Sequence, residues 1–200
     1  MENFIYLASQ SPRRRQLLEQ LGVRYELLLP DAAEDAEALE AVLKNEAPAS
    51  YVKRVTALKL DAALARLKHR KLPPAPVLCS DTTVAMKRII YGKPENTQDA
   101  ARMLSELSGT THRVLTAVAV QSGPQRFQAL STSRVRFDAM TAAHIQAYAA
   151  TGEPMGKAGA YAIQGRAAQH VSHISGSFSG IMGLPLRETA LLLQSAGIHI

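Results

Sequence analysis

Residues 113–137 read RVLTAVAVQSGPQRFQALSTSRVRF, two long strand-like runs on either side of a short turn. The runs Arg113–Gln121 and Phe127–Phe137 are rich in β-branched and apolar residues, and Gly123-Pro124 between them predicts a hairpin. A hairpin pairs its strands antiparallel, whereas strands separated by helices commonly pair in parallel. Elsewhere the chain alternates strands with helices. We therefore predict an α/β protein with a mixed, twisted sheet and flanking helices.

The remaining elements follow from hydrophobic spacing and from residues that begin or end helices. Short apolar runs predict the strands Phe4–Ala8, Tyr25–Leu29 and Val77–Met86. The predicted helices are Pro12 to Gly22 with Ser11 as its cap, Ser50–Leu67, Thr97–Leu107, Thr141–Ala150 and Leu186–Ala196. The proline-rich segment Leu72–Pro76 predicts a loop, and Gly152–Gly183 predicts short strands and turns.

Composition limits the classes of protein that this chain can be. Its 200 residues fit a single domain, residues 1–200, with at most two closely packed lobes. The chain is 46% hydrophobic and 20% charged, which is typical of a folded globular protein. Cys79 is the single cysteine, so an intramolecular disulfide and a cysteine-based zinc cluster are excluded. With no signal-peptide pattern and no long apolar run, we expect a cytoplasmic protein that does not enter the membrane.

The formal net charge of +6 raises the question of a polyanionic partner. The basic residues are scattered along the chain, and the densest group, residues 66–71, closes a helix, where cations suit the helix dipole. An acidic stretch, residues 31–46, lies just before that helix. This distribution argues against a continuous nucleic-acid footprint, so no nucleic-acid partner is expected.

The segment Leu7–Arg14, LASQSPRR, combines a strand end, a polar turn and a helix start. Free backbone N–H groups and the helix dipole favour an anion at such a place. Arg13 and Arg14 lie in the first helical turn, where cations are unfavourable unless an anion binds there. From the residues alone the alternative stays open, namely that these arginines point into water.

Two further segments carry candidate chemistry. Asp81 interrupts the apolar run 77–86, and a buried carboxylate is costly unless it is paired or bound to metal. Polar residues at strand ends commonly line ligand crevices in α/β proteins, although an Asp satisfied by neighbouring N–H groups is the open alternative. The segment Gly152–Gly165 contains several glycines that permit close approach of a ligand, and ordinary loop geometry would explain them equally well.

Taken together, these segments closely resemble the Maf family of nucleotide pyrophosphatases. The resemblance runs from Leu7 to Leu191. Its most specific pieces are residues 8–14 (ASQSPRR), 80–84 (SDTTV), 92–94 (GKP), 107–112 (LSGTTH), 157–165 (KAGAYAIQG) and 183–185 (GLP). The chain departs from the usual family pattern at Leu58, where a glutamate is common, and in the longer stretch Asp31–Ser50.

The resemblance implies an inosine-triphosphatase-like fold with a cleft between two lobes. It also implies cleavage between the α- and β-phosphates of nucleoside triphosphates, with a divalent cation (Mg, Mn or Co) as cofactor, and a homodimer. Arg13, Thr82 and Gln164 match the branch that acts on dTTP and UTP, with modified pyrimidine nucleotides as further candidate substrates.

Individual roles follow from that resemblance. Asp81 is expected to be the catalytic proton acceptor and a metal ligand. Glu34 is the second expected metal ligand, with Asp31 and Asp35 as local alternatives. The residues expected to bind substrate are Ser9, Ser11, Arg13, Arg14, Lys59, Thr82, Lys93 and Gln164, of which Arg14, Lys59 and Lys93 would contact the phosphates.

A function from a different class is the alternative. A basic chain of this fold could bind nucleic acid or act in cell division without turnover, since the family has been linked to septum formation. An enzyme needs Asp81 and a metal ion, whereas binding through phosphate contacts needs only a basic surface and weakens steeply with salt.

Overall fold

The computed structural model describes residues 4–31, residue 34 and residues 38–200. The strands in these residues are β1 (Phe4–Leu7), β2 (Arg24–Leu27), β3 (Val77–Met86), β4 (Ile89–Tyr91), β5 (Thr111–Ser122), β6 (Gln125–Phe137) and β7 (Val171–Ser175). Within the described ranges they form one seven-stranded sheet in the order β2-β1-β3-β5-β6-β7, with β4 paired to β3. Strand β1 runs parallel to β2 and β3, while β5 is antiparallel to β3 and β6. The predicted mixed α/β sheet is confirmed.

The helices are α1 (Pro12–Gln20), α2 (Pro48–His69), α3 (Thr97–Leu107), α4 (Ala142–Ala149), α5 (Phe178–Met182) and α6 (Leu186–Ser195). Short 3-10 turns lie at Ala38–Glu40, Ala158–Ala160 and Arg166–His170. Each predicted helix is present, with ends that differ by a few residues at most, and α3 has the predicted bounds. Among the described residues, every helix is too short or too polar to span a lipid bilayer.

Helix α2 covers one face of the sheet. Val52 and Val55 pack with Ala85 of β3 in one buried cluster, and Leu60 packs with Cys79 of the same strand in another. The helical spacing of apolar residues that predicted α2 therefore corresponds to the side that faces the sheet. Helices α1 and α6 pack on the opposite face, around the inner strands β1, β3 and β5.

The alternation of side chains along β3 determines what reaches the cleft. Cys79 packs on the α2 side, whereas Leu78 packs with the leucines of α1 on the other side. Successive side chains of a strand point to opposite faces. Asp81 accordingly meets a lysine of α2, while Thr82 meets an arginine of α1. One strand thus delivers a carboxylate to one side of the sheet and a hydroxyl to the other.

The predicted hairpin is present, with longer strands than the sequence suggested. Ser122 pairs with Gln125, so the loop consists of Gly123 and Pro124 alone. Gly123 has a φ of +55°, a conformation that favours glycine and that tight hairpin turns require. Strands β5 and β6 are the longest of the described strands, with 12 and 13 residues, so this hairpin forms a large part of the sheet.

Two elements were absent from the sequence prediction. Strand β4 follows a turn at Lys87 and Arg88, where Lys87 has a φ of +54° although lysine is not a usual residue for such turns. Helix α5 lies within the predicted glycine-rich region. Its cap is Ser177, whose Oγ accepts a hydrogen bond from the N–H of Gly180 at 2.9 Å. Short elements of this kind carry too few residues for a clear hydrophobic period.

His112 of the LSGTTH motif is a buried core residue. Its side chain is 1% exposed, and Nε2 lies 2.8 Å from the hydroxyl of Tyr161. The rings of Phe137 and Tyr161 pack edge-on against the imidazole, with centroids 5.1 and 5.4 Å away. Burial lowers the pKa of His112 to about 4. The imidazole is therefore neutral in the native protein at neutral pH.

We expect acid to destabilise the protein through His112. In the unfolded chain histidine has a pKa near 6.5. Between pH 6.5 and 4 the unfolded state therefore binds a proton at His112 that the native state does not bind. Stability therefore falls as the pH drops, by about 2 kcal/mol between pH 7 and pH 5 from this group. Urea denaturation at both pH values should show a smaller loss for His112→Gln than for the wild type. Equal losses of unfolding free energy in the wild type and in His112→Gln would show that His112 does not cause the loss of stability in acid.

Candidate active site

A cavity of about 820 Å³ opens beside the sheet. It lies between the turn after β1, the start of α1, helix α2, strand β3 and residues 155–164. The predicted site residues all line it, namely Ser9, Ser11, Arg13, Arg14, Glu34, Lys59, Asp81, Thr82, Lys93 and Gln164. The fold therefore brings side chains from widely separated segments to one cleft.

Asp81 is at the centre of a chain of ionic contacts on the α2 side of the cleft. Its Oδ1 accepts a hydrogen bond from Nζ of Lys59 at 2.6 Å, and the same ammonium donates to Oε1 of Glu40 at 2.7 Å. Lys93 approaches Oε2 of Glu40 at 3.0 Å. Asp81 is buried and Glu40 is largely covered, so each carboxylate depends on these cations to offset the cost of burial.

Glu40 belongs to the site, although sequence reasoning gave it no role. It ends the 3-10 turn Ala38–Glu40, and its backbone carbonyl accepts a hydrogen bond from the Tyr51 hydroxyl of α2 at 3.0 Å. Burial raises the pKa of Glu40, but the ammonium groups of Lys59 and Lys93 outweigh that effect, so the pKa lies below its ordinary value. In the acidic stretch 31–46 the carboxylates look alike, and no local signal distinguishes Glu40.

Glu34, the predicted metal ligand, lines the cleft but pairs with a different cation. Arg66 holds it with a bidentate contact, Nη2 to Oε2 at 2.5 Å and Nε to Oε1 at 2.8 Å. The hydrogen bonds from Arg66 are the main reason that the pKa of Glu34 falls to about 2. Asp31 pairs with Arg70 at 2.5 Å, and Asp35 lies outside the described residues. No described contact links Glu34 to Asp81.

Arg14 points into the protein from the first turn of α1. Its Nε donates to the carbonyl oxygen of Gly183 at 2.8 Å, and its Nη1 and Nη2 donate to the hydroxyls of Ser9 and Thr82, both at 3.3 Å. Burial is the largest influence on the pKa of Arg14 and lowers it, while the nearby charge of Asp81 opposes that effect. An anion in the cleft would offset the cost of holding this guanidinium away from water.

The Thr82 hydroxyl is committed within the protein. Thr116 Oγ1 donates its one hydrogen to the carbonyl of Gly180 at 2.7 Å, and it lies 2.9 Å from Thr82 Oγ1. Thr82 must therefore donate its own hydrogen to Thr116, and it accepts from Arg14. Thr82 thus orients Arg14 and has no hydrogen left to donate to a ligand.

The start of α1 leaves its backbone donors available. Ser11 is the residue that caps the helix, but its side chain makes no capping hydrogen bond, contrary to the prediction. Its backbone N–H instead donates to Oγ of Ser9 at 3.2 Å. Pro12 has no N–H, so Arg13 and Arg14 present the first helical N–H groups near the cleft. This is the arrangement that favours an anion.

The opposite wall of the cleft carries Arg13, Lys157 and Gln164. Nε of Arg13 donates a long hydrogen bond, 3.4 Å, to the carbonyl of Met182. Lys157 donates to the carbonyl oxygen of Glu153, and its pKa is lowered first by burial and then by the charge of Arg13. Gln164 is exposed in the cleft. Lys157 had no assigned role in the sequence analysis, because one lysine in a glycine-rich segment is not distinctive.

Comparison with known proteins gives a consistent picture. A family model described as Maf-like protein matches residues 4–196. A relative from Albidiferax ferrireducens, named dTTP/UTP pyrophosphatase, is 72% identical over 200 residues, which is 100% of both chains. A relative of the same name from a Polaromonas species is 69% identical over 198 residues, 99% of this chain and 98% of that protein. A third, from Cupriavidus metallidurans, is 63% identical over 199 residues and 100% of both chains.

Among solved structures, the Staphylococcus aureus Ham1 protein aligns with 66% of this chain and 71% of its own, at 13% identity and a TM-score of 0.40. That likeness is too weak to bear on function. The sequence relatives, in contrast, cover the chain from end to end and the family model covers nearly all of it. On that evidence the chain belongs to the Maf family.

Proposed function

We propose that this protein hydrolyses dTTP and UTP to the monophosphate and pyrophosphate. The observation that carries the proposal is the cleft in which Asp81 lies 2.6 Å from Lys59, with Lys93 beyond Glu40 and Arg14 on the other side of β3. Relatives at 63–72% identity bear the name of this activity. Membership in the Maf family is consistent with it.

The cations of the cleft suit a triphosphate. Such a substrate carries nearly four negative charges at neutral pH, and one opposite charge at about 4 Å near a protein surface contributes roughly 4 kcal/mol before desolvation costs. Arg14, Lys59 and Lys93 supply separate positive groups, and the free N–H groups at the start of α1 add to them. Each of these donors reaches the cleft from a rigid helix or from a turn beside a strand.

Asp81 is proposed to accept a proton from the water that breaks the bond between the α- and β-phosphates. It lies on an inner strand of the sheet, and its Oδ1 is held by Lys59, which fixes the orientation of the carboxylate. Lys59 can then stabilise the negative charge of the phosphates as the bond breaks. The products are a nucleoside monophosphate and pyrophosphate.

The residues of the cleft suit a hard divalent cation such as Mg²⁺, Mn²⁺ or Co²⁺. Asp81 and Glu40 both approach one ammonium, Lys59 Nζ, so their oxygens already converge on a single positive charge. The described residues contain no group of three or more His, Cys, Asp or Glu side chains able to hold a metal ion. Mg²⁺ characteristically binds to one or two carboxylates together with phosphate oxygens and water. A bound cation would neutralise phosphate charge and orient water.

We therefore propose Asp81 and Glu40 as the metal ligands, with Glu34 as the alternative that the sequence suggested. Glu34 engages both oxygens with Arg66, whereas among the described residues the ion pairs of the Glu40 carboxylate are with the ammonium groups of Lys59 and Lys93, which can move aside. A homodimer and a cytoplasmic location, both expected from the sequence, remain predictions.

A nucleotide panel tests the proposed activity and its selectivity. Uracil and thymine present an N3–H donor beside carbonyl acceptors, which complements the amide of Gln164. Of the three residues that match the dTTP/UTP branch, Thr82 is engaged with Arg14 and Thr116, so Gln164 and Arg13 remain as candidates to contact the base. A bound base would cover these groups, and each one that it leaves unpaired costs about 1–3 kcal/mol, which for two groups predicts a preference of roughly a hundredfold or more.

The measurement is kcat/KM from released pyrophosphate with dTTP, UTP, CTP, GTP, 7-methyl-GTP and pyrimidine nucleotides modified at C5. We expect dTTP and UTP to be the preferred substrates. Preference for 7-methyl-GTP would contradict the selectivity but not the activity. Absence of turnover together with salt-sensitive binding of nucleic acid would instead support the alternative of a binding protein.

A further inference from the structure

The segment 162–166, here called the Gln164 loop, is held at both ends by two side chains outside it. The N–H of Ala162 donates to the hydroxyl of Tyr148 at 3.2 Å. The N–H of Arg166 donates to both carboxylate oxygens of Glu153, at 3.0 and 3.3 Å. Tyr148 in turn donates its hydroxyl hydrogen to Oε1 of Glu153 at 2.8 Å. One tyrosine and one carboxylate thus form a continuous bridge beneath the loop.

The loop also packs directly onto that carboxylate. A Cβ placed on Gly165 would lie 2.2 Å from Oε1 of Glu153, well inside van der Waals contact. Within the loop, the N–H of Gly165 donates to the carbonyl of Ala162 at 3.0 Å, so the backbone makes a tight turn around residue 164. A side chain at position 165 would therefore force the Glu153 carboxylate and the loop apart.

Tyr148 provides a rigid base for the bridge. It lies on α4 with 4% of its surface exposed, inside the core cluster that contains Ile145 and Ile163. Burial raises the pKa of Tyr148, and the hydrogen bond to Glu153 raises it further, so the hydroxyl keeps its hydrogen at any physiological pH. The neutral Tyr148 hydroxyl therefore uses its one hydrogen to donate to Glu153 and one acceptor site to bind the N–H of Ala162.

Gln164 lies between the two anchors with its side chain exposed in the cleft. Among the contacts of the described residues none involves its amide, so the position of that amide depends on the backbone that carries it. Glu153 also faces Arg13, whose pKa its charge raises against the larger lowering effect of burial. Its backbone carbonyl accepts from Lys157. One residue therefore contacts or influences three groups on this wall of the cleft.

We propose that Glu153 and Tyr148 are positioning residues that hold the Gln164 loop in the geometry required to select uracil and thymine over cytosine. The inference rests on the proposed function, since it assigns a cause to the selectivity of the same site. Neither side chain contacts the cluster of Asp81, Lys59 and Glu40, so the bond-breaking end of the cleft should be indifferent to both.

Two conservative variants test the bridge. Glu153→Gln removes the negative charge and replaces one of the two acceptor oxygens that face the Arg166 N–H with an amide donor. Tyr148→Phe removes the hydroxyl while filling the same volume. We expect the ratio of kcat/KM for UTP over CTP to fall about tenfold or more in each, as a misplaced hydrogen bond predicts. The loss should lie in KM for UTP, with kcat little changed. Glu26→Gln, an exposed carboxamide substitution on β2, is the matched control and should keep the wild-type ratio.

A double-mutant cycle separates positioning from a general loss of structure. In the Gln164→Ala background, where the selecting amide is already absent, Glu153→Gln should change the UTP/CTP ratio no further. Inhibition by inorganic tripolyphosphate should be unchanged in every variant, because the phosphate end is intact. A wild-type ratio in both single variants, or a full additional loss in the Gln164→Ala background, would overturn the proposal.

Further readouts keep the two proposals distinct. If Glu153→Gln melts below the assay temperature, Gly165→Ala replaces it as the test. Its added methyl group would push the loop and the carboxylate apart, so the ratio of kcat/KM for UTP over CTP should fall in the same way. If the wild-type protein hydrolyses neither nucleotide, the proposed function fails. The ratio of the affinities for UTP and CTP, measured by calorimetry in the wild type and in the variants, then tests the role of Glu153 and Tyr148. Equal wild-type affinities for the two nucleotides would overturn the bridge as well.

Discussion

Asp81→Asn is expected to lower kcat for dTTP hydrolysis by about 10²–10⁴-fold, the typical cost of removing a general base. The amide can still accept a hydrogen bond from Lys59, whose ammonium also contacts Glu40, so the substitution leaves the local contacts largely in place. It removes the ability to accept a proton from water, and it also weakens the proposed metal ligand at this position. We therefore expect thermal unfolding close to that of the wild type.

Asp61→Asn is the matched control for this substitution. Asp61 lies on the same helix as Lys59, but its carboxylate faces outward and pairs with Arg126 at 2.5 Å. Both variants lose one negative charge, yet only Asp81 faces the cleft. Pyrophosphate release should thus be near normal in Asp61→Asn. Turnover of dTTP by Asp81→Asn within a few-fold of the wild type would show that another group accepts the proton.

Removal of divalent cations is expected to abolish turnover altogether, and Glu40→Gln is expected to weaken metal binding selectively. A carboxylate ligand replaced by an amide loses both charge and oxygen donor strength, so the metal concentration for half-maximal activity should rise at least tenfold. Glu34→Gln is the decisive comparison. It breaks the bidentate contact with Arg66 and should lower thermal stability, but it should leave the metal dependence unchanged.

Binding of Mn²⁺ to each protein, followed by electron paramagnetic resonance, gives a readout that does not depend on turnover. Weaker Mn²⁺ binding in Glu40→Gln alone is the expected outcome. Weaker binding in Glu34→Gln alone would instead support the ligand that the sequence suggested. Full activity after exhaustive EDTA treatment would contradict a metal-dependent reaction in any form.

Much of the fold was predictable from short-range patterns. The bounds of α3 were predicted correctly as Thr97–Leu107, with Gly109 following its end. The structure adds the cap Asn96, whose side chain accepts a hydrogen bond from the N–H of Asp99 at 2.9 Å. Long strands and amphipathic helices carry enough residues for their period to be read. Strand β4 and helix α5, with 3 and 5 residues, are too short for a hydrophobic period to be recognised. Strand β4 also follows a turn with an atypical residue, Lys87.

The candidate site was predictable in part. Segments such as 8–14 and 80–84 are contiguous and chemically distinctive, so Asp81, Arg14 and the resemblance to the Maf family could be read from the sequence. The sequence could not show whether Arg14 points into water or into the protein, because its partner Gly183 is 169 residues away. Thr82 was expected to bind substrate, and the structure shows that its hydroxyl is engaged with Thr116 on the neighbouring strand.

The amino-acid sequence alone therefore predicted the longer helices and strands and the mixed sheet, since these depend on the spacing of neighbouring residues. Most of the cleft residues were predicted from the resemblance of short contiguous motifs to the Maf family. The partner of each charge was decided by tertiary packing. Lys59 meets Glu40 and Asp81 across 19 and 22 residues, and Arg66 meets Glu34 across 32. Carboxylates in one acidic stretch have the same local chemistry, and only the path of the folded backbone determines which of them reaches Lys59 and Asp81 in the cleft.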